Sequence, residues 1–216
     1  MPEVSRFKAV IFDLDGVITD TAHYHFVAWK ALAESVDIQF DAAFNEQLKG
    51  VDRMGSLELI LAKSSRTFSD EEKRQLADSK NRHYQQLIET MTPNDLLPGA
   101  VEVLQAVRAA GLKVGLASAS KNAATVLARL GITALFDHVV DAALVERSKP
   151  DPEVFLKAAA YFGLAPADCL GVEDAVAGVQ AIKSAGMKAV GIGDPAVLTQ
   201  ADVVIPGLHA FRLDAY

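Results

Sequence analysis

The sequence feature that most constrains the fold is an almost continuously apolar segment, residues 7–14, which runs into an acidic turn ending in glycine. Apolar residues on both faces of so short a segment are typical of a strand buried in a parallel sheet. Similar segments occur at residues 113–118, 169–174 and 188–193, and stretches with helical periodicity lie between them. This alternation predicts an α/β fold with a Rossmann-like parallel-sheet core.

The stretch that follows the first predicted strand is different, because it has long helical patterns and no buried-strand pattern. Within it, Ser69 followed by Glu72 forms a capping-box signal for the start of a long helix. We therefore predict a helical cap domain, residues 19–92, inserted after the first strand. The α/β core would then consist of residues 1–18 and 93–216.

Composition and charge exclude several classes of protein. The chain has 216 residues, of which 50% are hydrophobic, so it can bury a sizeable core. Its formal net charge of −7 disfavours nucleic acid and anionic membranes as partners. The one cysteine, Cys169, cannot form an internal disulfide, and no signal segment or apolar run of membrane-helix length is recognised. We expect a cytoplasmic protein that is a monomer.

The first acidic pair, Asp13 and Asp15, lies where the first predicted strand ends. Residues two apart on a strand project to the same face, and ligands of open parallel sheets bind at the carboxyl ends of the strands. Two adjacent carboxylates repel each other unless a cation neutralises one or a proton is bound, and both conditions suit catalysis. Taken alone, the motif is equally consistent with a solvated turn.

A second acidic pair, Glu173 and Asp174, ends another predicted strand and should reach the same edge of the sheet. Carboxylates are the hard oxygen ligands that Mg²⁺ prefers, particularly beside a phosphorylated substrate. An isolated Glu-Asp pair is nevertheless more typical of a solvated face or a helix cap. Only its combination with the first pair indicates a metal site.

Two further segments could bind phosphate. One follows the second predicted strand, at a strand-to-helix junction. Hydroxyls and N–H groups there can donate to phosphate oxygens. A plain helix N-cap explains the polar residues of this segment about as well. The other contains Lys149, whose residue type is more often a surface charge. The first of these segments comprises Ser118, Ala119, Ser120, Lys121 and Asn122.

These segments, in this order, resemble the haloacid dehalogenase superfamily over nearly the whole chain. The matching motifs are FDLDGVITDT at 12–21, ASAS at 117–120, SKPDP at 148–152 and GVEDA at 171–175. The resemblance implies that Asp13 is a nucleophile and Asp15 an acid/base, and that Ser118 and Lys149 bind the transferring phosphoryl group. The implied magnesium ligands are Asp13, the backbone carbonyl of Asp15 and Asp174, with Glu173 beside them.

The cap segment DGVITDTAHYHFVAWKALAE, followed by FNEQLKGVDR, is similar to the β-phosphoglucomutase family. In that family a histidine of the first cap helix, here His25, helps to bring the acid/base into play when the cap closes. Thr21 would lie at the hinge. The residues implied to bind the sugar and its second phosphate are Lys49, Gly50, Arg53, Lys80, Lys121 and Asn122.

The residues of the cap also have structural interpretations that the sequence leaves open. Thr21 is a suitable N-cap for the following helix, and His25 is consistent with a histidine packed at a cap interface. Arg53, on its own, is typical of a solvated surface residue. Met54 and Gly55 make the cap loop less polar than the family pattern.

The resemblance implies a β-phosphoglucomutase that interconverts β-D-glucose 1-phosphate and β-D-glucose 6-phosphate. One Mg²⁺ per chain is implied, with an aspartyl-phosphate and β-glucose 1,6-bisphosphate as intermediates, the bisphosphate also serving as activator. The alternatives are a sugar-phosphate phosphatase with the same cap and, third, a non-catalytic metabolite-binding protein. The intact acidic and lysine motifs argue against the third.

Overall fold

The computed structural model describes residues 7–48 and 51–216, and in this part of the chain six parallel strands form one sheet. The strands are β1 (Ala9–Phe12), β2 (Lys113–Leu116), β3 (His138–Val139), β4 (Cys169–Glu173), β5 (Lys188–Ile192) and β6 (Val203–Ile205). Their spatial order is β3-β2-β1-β4-β5-β6, which places β1 in the interior between β2 and β4. The predicted α/β fold with a parallel-sheet core is confirmed.

The two outer strands, β3 and β6, were not among the predicted strands. They have two and three residues, and most of these residues are only half buried. A short strand at the edge of a sheet lacks the continuous apolar run on which the prediction depends. The four longer interior strands all carry that run.

Helices cover both faces of the sheet. They are α5 (Ala100–Ala109) and α6 (Ala123–Arg129) on one face, and α7 (Glu153–Tyr161) and α8 (Val176–Ser184) on the other. Successive side chains of β1 alternate between the two apolar clusters, as the two-residue period of a strand requires. Phe12 packs in the cluster with α5 and α6, whereas Ile11 packs in the cluster with α7 and α8.

The cap helices are α1 (Ala22–Ser35), α2 (Ala42–Glu46), α3 (Arg53–Leu61) and α4 (Asp70–Ile88). They enclose an apolar cluster of their own, centred on Trp29, Leu57 and Ile60. The capping box at the start of α4 is present, because Glu72 N–H donates to the Ser69 hydroxyl and the Glu72 carboxylate accepts from Ser69 N–H. Two reciprocal bonds at a helix start satisfy donors that would otherwise lack partners.

The two connections between cap and core run beside each other. Thr19 forms an antiparallel bridge with Leu96, Leu97 N–H donates to Ile18 O at 3.0 Å, and the Thr19 hydroxyl donates to Asp95 O at 2.6 Å. The chain thus enters and leaves the cap at one place, next to the end of β1. The predicted boundaries at residues 18/19 and 92/93 fall in this region and stay a prediction.

Among the described helices, none has the length and apolar character of a membrane span.

Candidate active site

The parallel sheet brings three strand ends to one edge. Backbone bonds hold them in register: Asp13 N–H donates to Val172 O at 2.9 Å, and Ala117 N–H donates to Phe12 O at 2.8 Å. The residues that follow β1, β2 and β4 therefore converge at the carboxyl edge, where open α/β sheets bind ligands. Asp13, Ser118 and Glu173, far apart in the sequence, are all buried there.

Lys149 is the charged centre of this edge. Its buried ammonium Nζ lies 2.6 Å from Asp13 Oδ1 and 2.8 Å from Glu173 Oε2. Burial alone would lower the pKa of Lys149, but the adjacent charges of Asp13 and Glu173 outweigh it and raise that pKa above its usual value. The lysine is therefore a fixed positive charge beside the carboxylate of Asp13.

Asp13 itself lies in a strongly perturbing environment. Burial raises its pKa to about 8, helped by the negative charge of Glu173, and the charge of Lys149 opposes the rise only in part. A carboxylate held in this way needs further positive charge to be fully ionised at neutral pH. A bound cation would supply that charge.

A suitable cation site is adjacent. Carboxylate oxygens of Asp13, Glu173 and Asp174 lie within 4.8 Å of one another. Gly16 makes the approach of Asp174 possible: its φ is +75°, and a Cβ at this position would lie 2.1 Å from Asp174 Oδ2. Hard oxygen donors of this kind and number fit Mg²⁺.

Asp15 is hydrogen-bonded to a residue at the start of the cap. The Thr21 hydroxyl donates to Asp15 Oδ1. Burial raises the pKa of Asp15, and the hydrogen bond from Thr21 only partly opposes this, so the group retains a proton more readily than an exposed aspartate. Thr21 is the N-cap residue of α1, as one interpretation of the sequence has it, but its side chain makes no capping bond and its hydroxyl is used on Asp15 instead.

His25, which is half-buried, and Lys80, which is buried, form a pair between two cap helices. His25 Nδ1, from α1, lies 2.9 Å from Lys80 Nζ, from α4. The His25 ring stacks on Tyr84 with centroids 4.1 Å apart, and the lysine ammonium lies 4.3 Å from the Trp29 ring centroid. Burial and then the charge of Lys80 lower the pKa of His25 well below its usual value, so it is neutral. His25 is therefore both packed at a cap interface and bonded there.

A network of amide side chains crosses from the cap to the core. Asn81 Oδ1 accepts from Arg53 Nη2 at 2.8 Å and from Asn122 Nδ2 at 2.9 Å, and Gln85 Nε2 donates to Asn122 Oδ1 at 3.1 Å. Asn122 is the N-cap residue of α6 but does not cap the helix with its side chain. Its side chain is used to hold α4 against the core instead. The backbone N–H of Ser120 is satisfied locally, by the Ser118 hydroxyl at 3.1 Å.

One cavity of about 830 Å³ joins these groups. Core and cap both line it, so it is a chamber between the two with charged groups on each side. The predicted site residues on its wall are Asp13, Asp15, His25, Arg53, Lys80, Ser118, Ala119, Ser120, Lys121, Asn122, Lys149, Glu173 and Asp174. Thr21 lies behind Asp15, and Lys49 and Gly50 lie outside the described residues.

Comparisons with known proteins agree with this geometry. Residues 7–186 match the family model of haloacid dehalogenase-like hydrolases. The chain is 52% identical over 200 residues to the β-phosphoglucomutase of Bacillus subtilis, covering 92% of this chain and 88% of that protein. A crystal structure of β-phosphoglucomutase from Clostridium difficile superimposes with a TM-score of 0.94 at 46% identity, covering 97% of this chain and 95% of that one. The fructose-1-phosphate phosphatase of Escherichia coli is 32% identical over 189 residues, covering 87% and 97%.

The chain belongs to the β-phosphoglucomutase family of the haloacid dehalogenase-like hydrolases. It is therefore an enzyme, and the recognition made from its motifs is confirmed. Membership of this family also implies dependence on Mg²⁺, which the cluster of Asp13, Glu173 and Asp174 is suited to bind.

Several residues that shape this β-phosphoglucomutase-like site were not predicted from the sequence. Gln85 holds Asn122, and Asp52 of the cap accepts a hydrogen bond from Ser148 of the core. Gly178 leaves room for Glu173, because a Cβ there would lie 1.9 Å from Glu173 Oε2. For Asp52, the sequence indicates only that an aspartate directly before a helix is a suitable N-cap residue. The contacts of Gln85, Ser148 and Gly178 have no local sequence pattern.

Proposed function

We propose that this chain is a β-phosphoglucomutase, interconverting β-D-glucose 1-phosphate and β-D-glucose 6-phosphate through an aspartyl-phosphate at Asp13. The observation that carries the proposal is the two-ended chamber. One end holds Asp13 with Lys149, and the other holds Arg53 within a polar network of the cap. A substrate with a phosphate at each end of a sugar ring matches these two ends.

At the core end, Asp13 attacks phosphorus and forms an acyl phosphate. The phosphoryl group is loosely bonded and highly charged during transfer. Catalysis therefore depends mainly on positioning this group and neutralising its charge. Lys149 provides a fixed charge beside the nucleophile, and the buried Ser118 provides a hydroxyl donor. A single Mg²⁺ held by Asp13, the Asp15 carbonyl and Asp174, with Glu173 beside them, would neutralise charge on the phosphoryl oxygens.

Asp15 moves the proton in each direction. It donates to the oxygen that leaves phosphorus and accepts from the hydroxyl that attacks the acyl phosphate. Its burial and its contact with Thr21 support this assignment, because they keep the carboxyl in place within reach of the chamber. The Asp13 carboxylate, paired with Lys149, is left to act as nucleophile.

At the cap end, Arg53 holds the phosphate that is not being transferred. The planar guanidinium suits two parallel bonds to a phosphate, and Asn81 fixes its orientation at 2.8 Å. Lys121 and Asn122 on the core wall complete this end, and Ala119 and Ser120 line the wall between the two ends. His25 and Lys80 set the contact of α1 with α4, and we assign Lys49 and Gly50 to sugar binding on the family resemblance.

The catalytic cycle uses both ends in turn. Phosphorylated Asp13 passes its phosphoryl group to the 6-hydroxyl of β-glucose 1-phosphate and forms β-glucose 1,6-bisphosphate. The bisphosphate exchanges its ends, and its 1-phosphate returns to Asp13. The same bisphosphate, supplied from outside, phosphorylates resting enzyme and so acts as activator. No phosphate is released overall.

The decisive experiment supplies β-glucose 1-phosphate, Mg²⁺ and a trace of the bisphosphate, and measures glucose 6-phosphate and free phosphate together. We expect glucose 6-phosphate to be the main product. Free phosphate as the main product would overturn the proposal in favour of a sugar-phosphate phosphatase, the function named for the Escherichia coli relative. Binding without turnover would overturn both.

We further propose that the enzyme is a cytoplasmic monomer. The buried, unpaired Cys169 is compatible with a reducing compartment. Size-exclusion chromatography with light scattering tests the monomer, for which a mass near 23.1 kDa is expected. A mass of twice that value would contradict it.

A further inference from the structure

A carboxylate of the cap and a hydroxyl of the core meet on the wall of the chamber. Asp52 is the N-cap residue of α3, where its Oδ1 accepts from Met54 N–H at 2.8 Å and from Gly55 N–H at 3.0 Å. Its other oxygen, Oδ2, accepts a hydrogen bond from the Ser148 hydroxyl. Asp52 directly precedes Arg53, and Ser148 directly precedes Lys149. The contact therefore joins the two segments that carry charged groups on the cap side and on the core side of the chamber.

The local structure fixes the direction of the Asp52 side chain. Two backbone N–H groups hold Oδ1, which leaves Oδ2 directed away from the helix and towards the core. Partial burial opposes ionisation, but the bonds from Ser148 and from the two N–H groups lower the pKa of Asp52. The bond to Ser148 is thus charge-assisted.

The contact completes the attachment of the cap. The two chain connections fix one side, at Thr19 and Leu96, and the amide network of Asn81 with Asn122 fixes α4. Neither joins α3 directly to the core, because Arg53, the first residue of α3, reaches Asn122 only through Asn81 of α4. Among the described contacts, the hydrogen bond from Ser148 to Asp52 is the one that joins α3 and its N-cap residue directly to the core.

We propose that Asp52 and Ser148 form a latch that holds the closed cap and so positions Arg53 relative to Lys149. Both are positioning residues, because they act through the charged residues that follow them. This inference rests on the proposed function and deepens it. A cap closed over bound sugar phosphate keeps water from the acyl phosphate of Asp13, so the latch favours transfer to sugar over hydrolysis.

The cleanest test is Ser148→Ala, which removes the core hydroxyl and leaves both capping bonds of Asp52 intact. Ser148→Thr retains a hydroxyl and should restore the wild-type behaviour. For Ser148→Ala we expect kcat/KM for glucose 6-phosphate formation to fall about tenfold, the loss of one hydrogen bond to a charged group. The ratio of free phosphate to glucose 6-phosphate should rise by a similar factor. The matched control is Ser35→Ala in α1, whose hydroxyl bonds only to Leu32 O of its own helix and should change neither value.

A readout independent of activity separates the latch from the proposed function. Small-angle X-ray scattering of the free enzyme should give a larger radius of gyration for Ser148→Ala than for wild type, Ser148→Thr and Ser35→Ala. If wild type releases mainly phosphate, the proposed function fails, and the scattering result still decides the latch. Asp52→Asn keeps a good N-cap residue but loses the charge, and its effect should be less than additive with Ser148→Ala. Unchanged scattering and an unchanged product ratio in Ser148→Ala would overturn the latch, as would full additivity.

Discussion

Replacing Gly178 with alanine should lower the stability of the protein, although the same change in an ordinary helix raises it, and this difference in sign tests the packing around Glu173. Gly178 lies inside α8 and is buried. In an ordinary helix interior, glycine to alanine stabilises by about 1 kcal/mol. Here the added Cβ would lie 1.9, 2.0 and 2.4 Å from the Oε2, Cδ and Cγ atoms of Glu173. Three overlaps with one buried side chain cannot be relieved unless Glu173 moves.

Moving Glu173 breaks the bonds that it makes. Its Oε2 accepts from Lys149 at 2.8 Å, and its Oε1 accepts from the N–H groups of Asp174 and Ala175, both at 3.1 Å. Losing a bond to a charged partner costs about 1.5–3 kcal/mol. Overpacking of a tight site costs about 1–3 kcal/mol. After subtracting the helix gain of about 1 kcal/mol, the net loss of stability is about 3 kcal/mol.

The measurement is thermal unfolding followed by circular dichroism. For a chain of this size, about 3 kcal/mol corresponds to a fall in Tm of roughly 6–12 °C. Gly55→Ala is a matched control, because Gly55 is also helical but its Cβ would overlap one atom, Val51 Cγ1 at 2.8 Å. We expect its Tm to change much less. A Tm for Gly178→Ala equal to or above wild type would refute the reasoning.

Other expectations concern the nucleophile, the metal and the buried lysine. Asp13→Asn should reduce kcat by at least about 10³-fold in a coupled assay, since it removes the nucleophile; residual activity near wild type would contradict covalent catalysis. Mg²⁺ at about 100 times its Kd should raise the wild-type Tm by roughly 5–10 °C, and the Tm of Asp174→Asn by less. Equal shifts in the two proteins would contradict the assigned metal site. Burial, followed by the charge of Arg53, lowers the pKa of Lys80 from 10.5 to about 7. Between these two pH values the unfolded chain binds a proton that the folded chain does not bind. The free energy of unfolding of the wild type therefore rises with pH across that interval. Lys80→Met should therefore raise Tm relative to wild type more at about pH 6 than at about pH 10, and the reverse order would contradict this.

Sequence reasoning succeeded where the signal is local or follows from the topology of a parallel sheet. The capping box at Ser69 and Glu72 is a local signal, and the structure contains it. The meeting of Asp13 with Glu173 follows from topology, because all strands of the sheet end at the same edge. Neither required knowledge of where the cap lies.

Contacts that depend on the placement of the cap could not be predicted. Asn122 has the type and position of a helix cap, yet its side chain bonds to Asn81 and Gln85 of α4. Asp52 does cap α3, but its second oxygen accepts from Ser148, distant in sequence. Such partners are chosen by tertiary packing, which no periodicity or propensity encodes.

The two aspartates take their partners from different parts of the molecule, and this separation bears on how the acyl phosphate survives. Asp13 is bonded to Lys149 of the core, so its surroundings do not depend on the position of the cap. Asp15 is bonded to Thr21, at the start of the first cap helix, whose His25 is in turn bonded to Lys80 of α4. Opening the cap would therefore displace Asp15, the proposed base, and leave Asp13, the proposed nucleophile, with its partner Lys149. In the proposed mechanism, closing the cap brings Asp15 into position in the same step that excludes water, so the acyl phosphate meets an activated sugar hydroxyl rather than an activated water.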